Sequence, residues 1–403
     1  MAEGSGFQMT QTGKIIIAVI VIIVLASLIS PFLYKGPQKT TTTTLQNANA
    51  TNQTVGPTNS STNSSRGQTS GGTGSMIIYC IGGLQNLTTV KNTYYFNASS
   101  PFGLPARWLG TTPYPVSEQL ASCVTYGNQL YCIGGTDANY SALSNASYYA
   151  GETPSGLGAW HATASYPIPT AGESCAVYAN YIYCTGGENG PADFAVGAGA
   201  SGVYVPATNQ SFYAPISSTG IGPWAETTPY PIDVMAPSCY VYNAAMYCIG
   251  NSTVSVPGLA LTTKGINPVY YAKLSAAGIG PWKQATNSQV GNSSIACSAG
   301  GGYAYCLTYS QSYVNDEGFT NTSSYYASLA RNGTGKWLNA TSIYPVSQST
   351  LYAMQCRYVQ GYMYCIGGEN STSYFASAGQ YGIGGWRSFA DYPGAIAGQS
   401  CTA

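Results

Sequence analysis

The sequence predicts an all-β fold: a closed ring of six small four-stranded sheets, a six-bladed β-propeller. Three observations predict it. Ten of the twelve cysteines fall into five pairs of constant spacing, Cys123/Cys132, Cys175/Cys184, Cys239/Cys248, Cys297/Cys306 and Cys356/Cys365. The six tryptophans, Trp108, Trp160, Trp224, Trp282, Trp337 and Trp386, recur at intervals between 49 residues (Trp337 to Trp386) and 64 residues (Trp160 to Trp224). The two remaining cysteines, Cys80 and Cys401, are the first and last in the chain, so the final unit is assembled from both ends of the repeating region.

Ahead of the repeats, Ile15 to Leu33 reads IIIAVIVIIVLASLISPFL. It is close to the length needed to cross a bilayer and longer than the apolar part of a secretory signal. The reading is a cytoplasmic tail over 1–13 and a transmembrane signal-anchor over 14–35. A cleaved signal is the alternative, because Ala26-Ser27-Leu28 offers small residues. Lys35 and Lys39 follow the segment and only Lys14 precedes it, which favours the opposite orientation, but large domains translocate with little regard to such charges. Cysteine usage and glycosylation sequons place the body outside, giving a single-pass protein of the cell membrane with an extracellular propeller.

Residues 36–75 are rich in Thr, Asn, Ser and Gly and hold few apolar side chains. Such a stretch cannot bury enough surface to offset its ordering entropy and is expected to form a disordered, glycosylated stalk. Its ends would lie about 35 Å apart as a flexible chain. Sequons occur there at Asn49, Asn52, Asn59 and Asn63. In the body they include Asn86, Asn97, Asn139, Asn145, Asn209, Asn251, Asn292, Asn321, Asn332, Asn339 and Asn370.

The propeller is expected over 76–403. If the cysteines of each pair oppose one another across an antiparallel hairpin, three residue pairs lie inside them and two residues make the turn. Those turns are Gly127-Asn128, Ala179-Asn180, Asn243-Ala244, Gly301-Gly302 and Gln360-Gly361, compositions suited to primed turns with φ > 0. The cysteines then occupy non-hydrogen-bonded positions, where Cα atoms approach to about 4.5 Å, within disulfide reach. The expected bridges are Cys123–Cys132, Cys175–Cys184, Cys239–Cys248, Cys297–Cys306 and Cys356–Cys365, with Cys80–Cys401 closing the ring. Free thiols or metal ligands are the alternative, and a zinc site wants clustered ligands whereas the chain has one histidine.

Each unit reads as an apolar strand ending in Cys, a tight turn, a strand ending in Tyr-Cys, a loop, an aromatic pair, a glycine-rich turn and a Trp. Five of the six then continue to Tyr-Pro. Gly82-Gly83, Gly134-Gly135, Gly186-Gly187 and Gly367-Gly368 follow four of the Tyr-Cys strands. Tyr149, Tyr213, Tyr271 and Tyr326 belong to the aromatic pairs. This order of double glycine, aromatic, turn and Trp resembles the kelch repeat over the whole of 76–403. Ile249-Gly250-Asn251 keeps one glycine and Leu307-Thr308-Tyr309 keeps none. The resemblance implies a propeller of four-stranded blades. It also implies that the loops after the double glycines share a face with the loops after each Trp.

The residues that carry chemistry in known propellers are largely missing from this sequence. Kelch-like propellers include a copper oxidase whose site uses two histidines, and only His161 is present. Six-bladed propellers include sialidases, which use an arginine cluster, a nucleophilic tyrosine and carboxylates. Here Arg107, Arg331, Arg357 and Arg387 are dispersed, and Arg107 and Arg387 flank tryptophans. No phosphate loop, nucleophile elbow or metal-spaced histidine set occurs, so no catalytic residue, metal ligand or cofactor is assigned. Charges balance at 13 against 13 and make up 6% of the chain, which leaves no basic patch for nucleic acid.

The implied shared face gathers a set of candidate ligand-binding residues. Asp137, Glu188 and Glu369 each follow a double glycine within two residues. Tyr114, Tyr166, Tyr230, Tyr344 and Tyr392 each precede a proline after the Trp, and Glu118 and Glu173 lie in the same loops. A rim of tyrosines and carboxylates suits a glycan or protein ligand; the alternative is that the acids cap turns and face solvent. Few ion pairs also means few carboxylates whose protonation would unfold the chain, which points to tolerance of acid. The function expected is recognition, adhesion or a place in a cell-surface coat. The alternatives are a glycan-processing hydrolase using Asp137, Glu188 or Glu369, and a filament subunit built on the N-terminal helix.

Overall fold

The structure is a computed structural model. It describes residues 76–403 except 99–106, 192, 198–199, 205, 251–267, 286–293, 315–316, 346–353 and 369. The expected tail (1–13), anchor (14–35) and stalk (36–75) lie outside the described residues. The chain divides into Met1–Ser64 and Ser65–Ala403, and every described residue belongs to the second unit. Among the described residues no helix is long and apolar enough to cross a membrane.

The strands build six antiparallel blades in chain order. Blade 1 joins Ser400–Thr402 to Ile77–Ile81, Thr93–Asn97 and Leu109–Gly110. Blade 2 runs Ser122–Tyr126, Gln129–Ile133, Ser147–Thr153, Gly156–Ala162. Blades 3 to 6 begin with Ser174–Tyr178, Ser238–Tyr242, Ser294–Gly300 and Gln355–Val359. These first strands, with Ser400–Thr402, contact one another in succession and form the inner wall of the ring. Two further hairpins, Leu84–Gln85 with Thr88–Thr89 and Asp193–Gly197 with Ala200–Tyr204, project from loops. The mixed pattern of buried and half-buried positions along each strand follows from blades that pack on both faces.

The cysteine register agrees with the sequence expectation in all six blades. Cys123 opposes Cys132, Cys175 opposes Cys184, and Cys239, Cys297 and Cys356 oppose Cys248, Cys306 and Cys365. Each pair is bonded with Cα atoms 4.1 Å apart, and Cys80–Cys401 closes the ring in the same geometry. Both residues of every two-residue turn have positive φ, for example 56° and 65° at Gly127-Asn128 and 46° and 65° at Ala179-Asn180. That is the type I′ pattern, whose twist matches the flanking strands.

Three repeated hydrogen bonds tie neighbouring blades. The serine before an inner-strand cysteine caps the next blade's exposed edge. The Cys123 N–H donates to Ser400 Oγ (2.9 Å), Cys175 to Ser122 (3.0 Å), Cys239 to Ser174 (3.2 Å) and Cys297 to Ser238 (3.0 Å). Leu157, Ile221 and Ile279 each donate an N–H to a threonine of the preceding blade, Thr111, Thr163 and Thr227, at 2.7 Å. The tyrosine of each Tyr-Cys pair is buried, and those of blades 2, 3 and 4 reach into the next blade's outer turn. Tyr131 donates to Ser217 O (2.8 Å), Tyr183 to Ser275 O (2.9 Å), and Tyr247 to Ala330 O. These bonds give the buried tyrosine hydroxyls and strand N–H groups they involve partners across the interfaces, and the ring leaves no free sheet edge at its inner wall.

Candidate functional site

The double-glycine loops and the loops after each Trp do share one face. Gly83 N–H donates to Glu118 O (2.8 Å), Gly135 to Thr170 O (2.9 Å) and Gly187 to Val234 O (2.8 Å). These loops cross from the outer strand of one blade to the inner strand of the next. Gly134 and Gly135 have φ of 68° and 111°. A Cβ on Gly135 would sit 2.7 Å from the Glu118 carboxyl, so glycine is required both for conformation and for close approach.

The tyrosine rim expected on this face is absent, because the five rings turn inward. Tyr114, Tyr166 and Tyr230 are 1% exposed, and Tyr344 and Tyr392 are 3% exposed. Each meets the tryptophan of the adjoining blade edge-on. The pairs are Tyr114–Trp160, Tyr166–Trp224 and Tyr344–Trp386 at 4.9 Å, and Tyr230–Trp282 and Tyr392–Trp108 at 5.0 Å. The T-shaped contact sets the positive ring edge of one partner against the π face of the other. These tyrosines are therefore the seam between blades.

The carboxylates divide. Asp137 is a turn residue, accepting the Ser141 N–H (2.7 Å) and Ser141 hydroxyl (2.5 Å), and these bonds hold its carboxyl below the usual range although partial burial opposes them. Glu369 lies outside the described residues. Glu118, Glu173 and Glu188 are 4%, 5% and 0% exposed, in loops of adjoining blades. Burial pushes Glu118 well above the ordinary carboxylate range, and Glu173 adds to the rise. Burial, with Glu188 beside it, pushes Glu173 up to about 8. Burial alone pushes Glu188 up to about 7. Burial favours protonation of all three, and a neighbouring carboxyl adds to the effect at Glu118 and Glu173. Neither oxygen of Glu173 or of Glu188 has a hydrogen-bond partner of good geometry. The arrangement can hold protons, but none of the three carboxyls presents a surface that a polysaccharide could touch.

The opposite face, where the inner hairpins turn, carries a feature the sequence analysis overlooked. The last inner-strand residues of blades 2, 3 and 4 are Tyr126, Tyr178 and Tyr242, all half-buried and half-open around the axis. The Tyr126 hydroxyl donates to Asn180 Oδ1 in the next blade's turn. In blade 5 the corresponding residue is Gly300, and a Cβ there would fall 1.9 Å from the Tyr358 ring, so Tyr358 of blade 6 fills that place. Asn128, Asn180, Asn243 and Gln360 are exposed at the turn tips. The segments 126–129, 178–181, 242–245, 300–303 and 358–362 contain no charged residue. The signal for this site was the position directly before each turn, three residues after the inner cysteine.

Among the described residues no group of three or more His, Cys, Asp or Glu is arranged to hold a metal ion. Arg357 lies on the inner strand of blade 6, where its guanidinium donates to Cys356 O (2.7 Å) and Gln355 Oε1 (3.0 Å); burial lowers its pKa to about 10.

No family model matches the sequence, and no curated protein matches it. Solved structures do match: one is the structure of YjhT, with a TM-score of 0.53 and 12% identity, covering 76% of this chain and 96% of that one. The likeness concerns the fold alone.

Proposed function

We propose that this chain is a membrane-anchored, outward-facing recognition protein of the kelch type, and that it binds neutral glycan at the hairpin-turn mouth of its propeller. The observation that carries the reading is the uncharged arc of half-open tyrosines on three successive blades, with exposed amides at its margin. Tyrosine faces stack on the apolar faces of sugar rings, and Asn and Gln supply paired donors and acceptors for sugar hydroxyls. None of Asn128, Asn180 and Asn243 starts a sequon, so N-linked sugar would leave the mouth clear. The apolar segment Ile15–Leu33 and six disulfides in one chain support anchoring with the body in an oxidising space. Binding rather than catalysis is proposed because the three clustered carboxyls are sealed from any polymer.

A glycan array probed with the detergent-solubilised full chain tests this. Hits on neutral oligosaccharides are expected. Tyr126→Ala or Tyr178→Ala should weaken them about 3- to 10-fold each, the worth of one aromatic contact. A blank array, or hits indifferent to both changes, would move the role to a protein partner in a surface coat.

A further inference from the structure

The buried carboxyl of Glu173 stands where another blade places an amide. The residue two before each inner-strand cysteine is Ala121, Glu173, Pro237, Ile295, Met354 and Gln399 in turn. Four are apolar, one is an amide and one is an acid. Gln399 shows what a polar side chain does in that slot. It is 1% exposed, it lies against Gly367 of the preceding blade's double glycine, and its Nε2 donates to Ile366 O (2.9 Å). Glu173 occupies the same place one third of the way round the ring. Its two oxygens lie 2.7 and 3.0 Å from the Cβ position of Gly134, the counterpart of Gly367. The carbonyl matching Ile366 O is that of Ile133, in the shared Cys-Ile-Gly-Gly sequence.

A carboxylate only accepts hydrogen bonds, whereas a carboxylic acid also donates one. Facing a carbonyl oxygen, only the acid form can do what Gln399 does. We propose that Glu173 is a structural carboxylic acid whose proton bonds the Ile133 carbonyl, locking blade 3 to blade 2 and making the ring tightest in acid and looser above neutrality.

The groups around Glu173 bear this out. Glu118 and Tyr114 on the loop entering blade 2, Tyr166 on its own loop, and Glu188 after the blade 3 double glycine all act on it or are acted on by it, and every one is an acid. Its own N–H and that of Ser122 approach the carboxyl and pull toward ionisation, against the larger effect of burial. A buried charge without a cationic partner is costly enough that the group neutralises instead. In an unfolded chain a glutamate loses its proton near pH 4.3, and here Glu173 keeps it to about 8. Between those values the folded chain holds a proton that the unfolded chain has released. Stability is therefore full below about pH 4, falls as pH rises between them, and has lost the whole contribution above about 8.

The test is a reciprocal exchange, read as melting temperature at pH 4, 6 and 8. Glu173→Gln supplies a permanent donor. It should melt about 5 °C or more above the parent at pH 8, match it at pH 4, and show a shallower fall between. Gln399→Glu should melt near the parent at pH 4 and drop below it at pH 8, installing a second acid-dependent lock. The proposal is overturned if Glu173→Gln melts below the parent at pH 8, if its pH profile parallels the parent's, or if Gln399→Glu adds no pH dependence.

Discussion

Removing the closing bridge, with Cys80→Ser and Cys401→Ser together, is expected to destabilise the chain about twice as much as removing any internal bridge. The bridge joins residues 321 apart in sequence, whereas the other five join residues 9 apart. In the chain-entropy model the long loop is worth about 5–6 kcal/mol and a short one about 2.7 kcal/mol. The inner strand Ser400–Thr402 would remain paired with Ile77–Ile81 by three residue pairs only. It would also remain the source of the Ser400 cap on blade 2. Denaturant melts of this double variant and of Cys123→Ser with Cys132→Ser give the comparison. Equal losses would show that the ends are not what holds the ring shut.

Tyr166→Ala is expected to act on stability rather than on ligand binding. The ring is buried against Trp224 and Phe212 at 4.9 and 5.2 Å. Truncating an aromatic in such a place costs about 3–5 kcal/mol, from lost burial and from the void left behind. Tyr126→Ala at the open mouth should cost less than about 1 kcal/mol. Thermal melts beside the glycan array separate the two. A Tyr166→Ala protein that melts like the parent yet loses its ligand would return this tyrosine to a binding rim.

What the sequence made legible was local. Cysteine spacing, turn composition and strand length all act within ten residues, so the five hairpins and their register followed from Cys123-to-Cys132 arithmetic and from Gly127-Asn128 chemistry. The closing unit was legible because two odd cysteines needed one another. The site was less so, because exposure is decided between blades. Tyr114 and Trp160 are 46 residues apart, and recurrence alone says only that a residue repeats, which a packing seam explains as well as a binding rim. Tyr-Pro recurs in five of six units, the behaviour of a structural element, while Tyr126, Tyr178 and Tyr242 occupy only three successive blades. Glu118 and Glu173 read as accessible acids of a binding rim because nothing near them in sequence marks burial; the mark was the apolar company of Glu173 at equivalent positions, Ala121, Pro237, Ile295 and Met354. The serine caps on the inner wall were legible in principle, since Ser122, Ser174, Ser238 and Ser400 all precede a cysteine. Their partners are backbone amides, which carry no sequence signal.

Each blade of the ring is cross-linked internally, and the first and last strands share one blade. Mass-spectrometric peptide mapping of the unreduced protein examines this most directly. It should recover Cys80 linked to Cys401, each of the other ten cysteines linked to the partner nine residues away, and no free thiol. A bridge between two different blades, or Cys80 and Cys401 recovered as thiols, would contradict it.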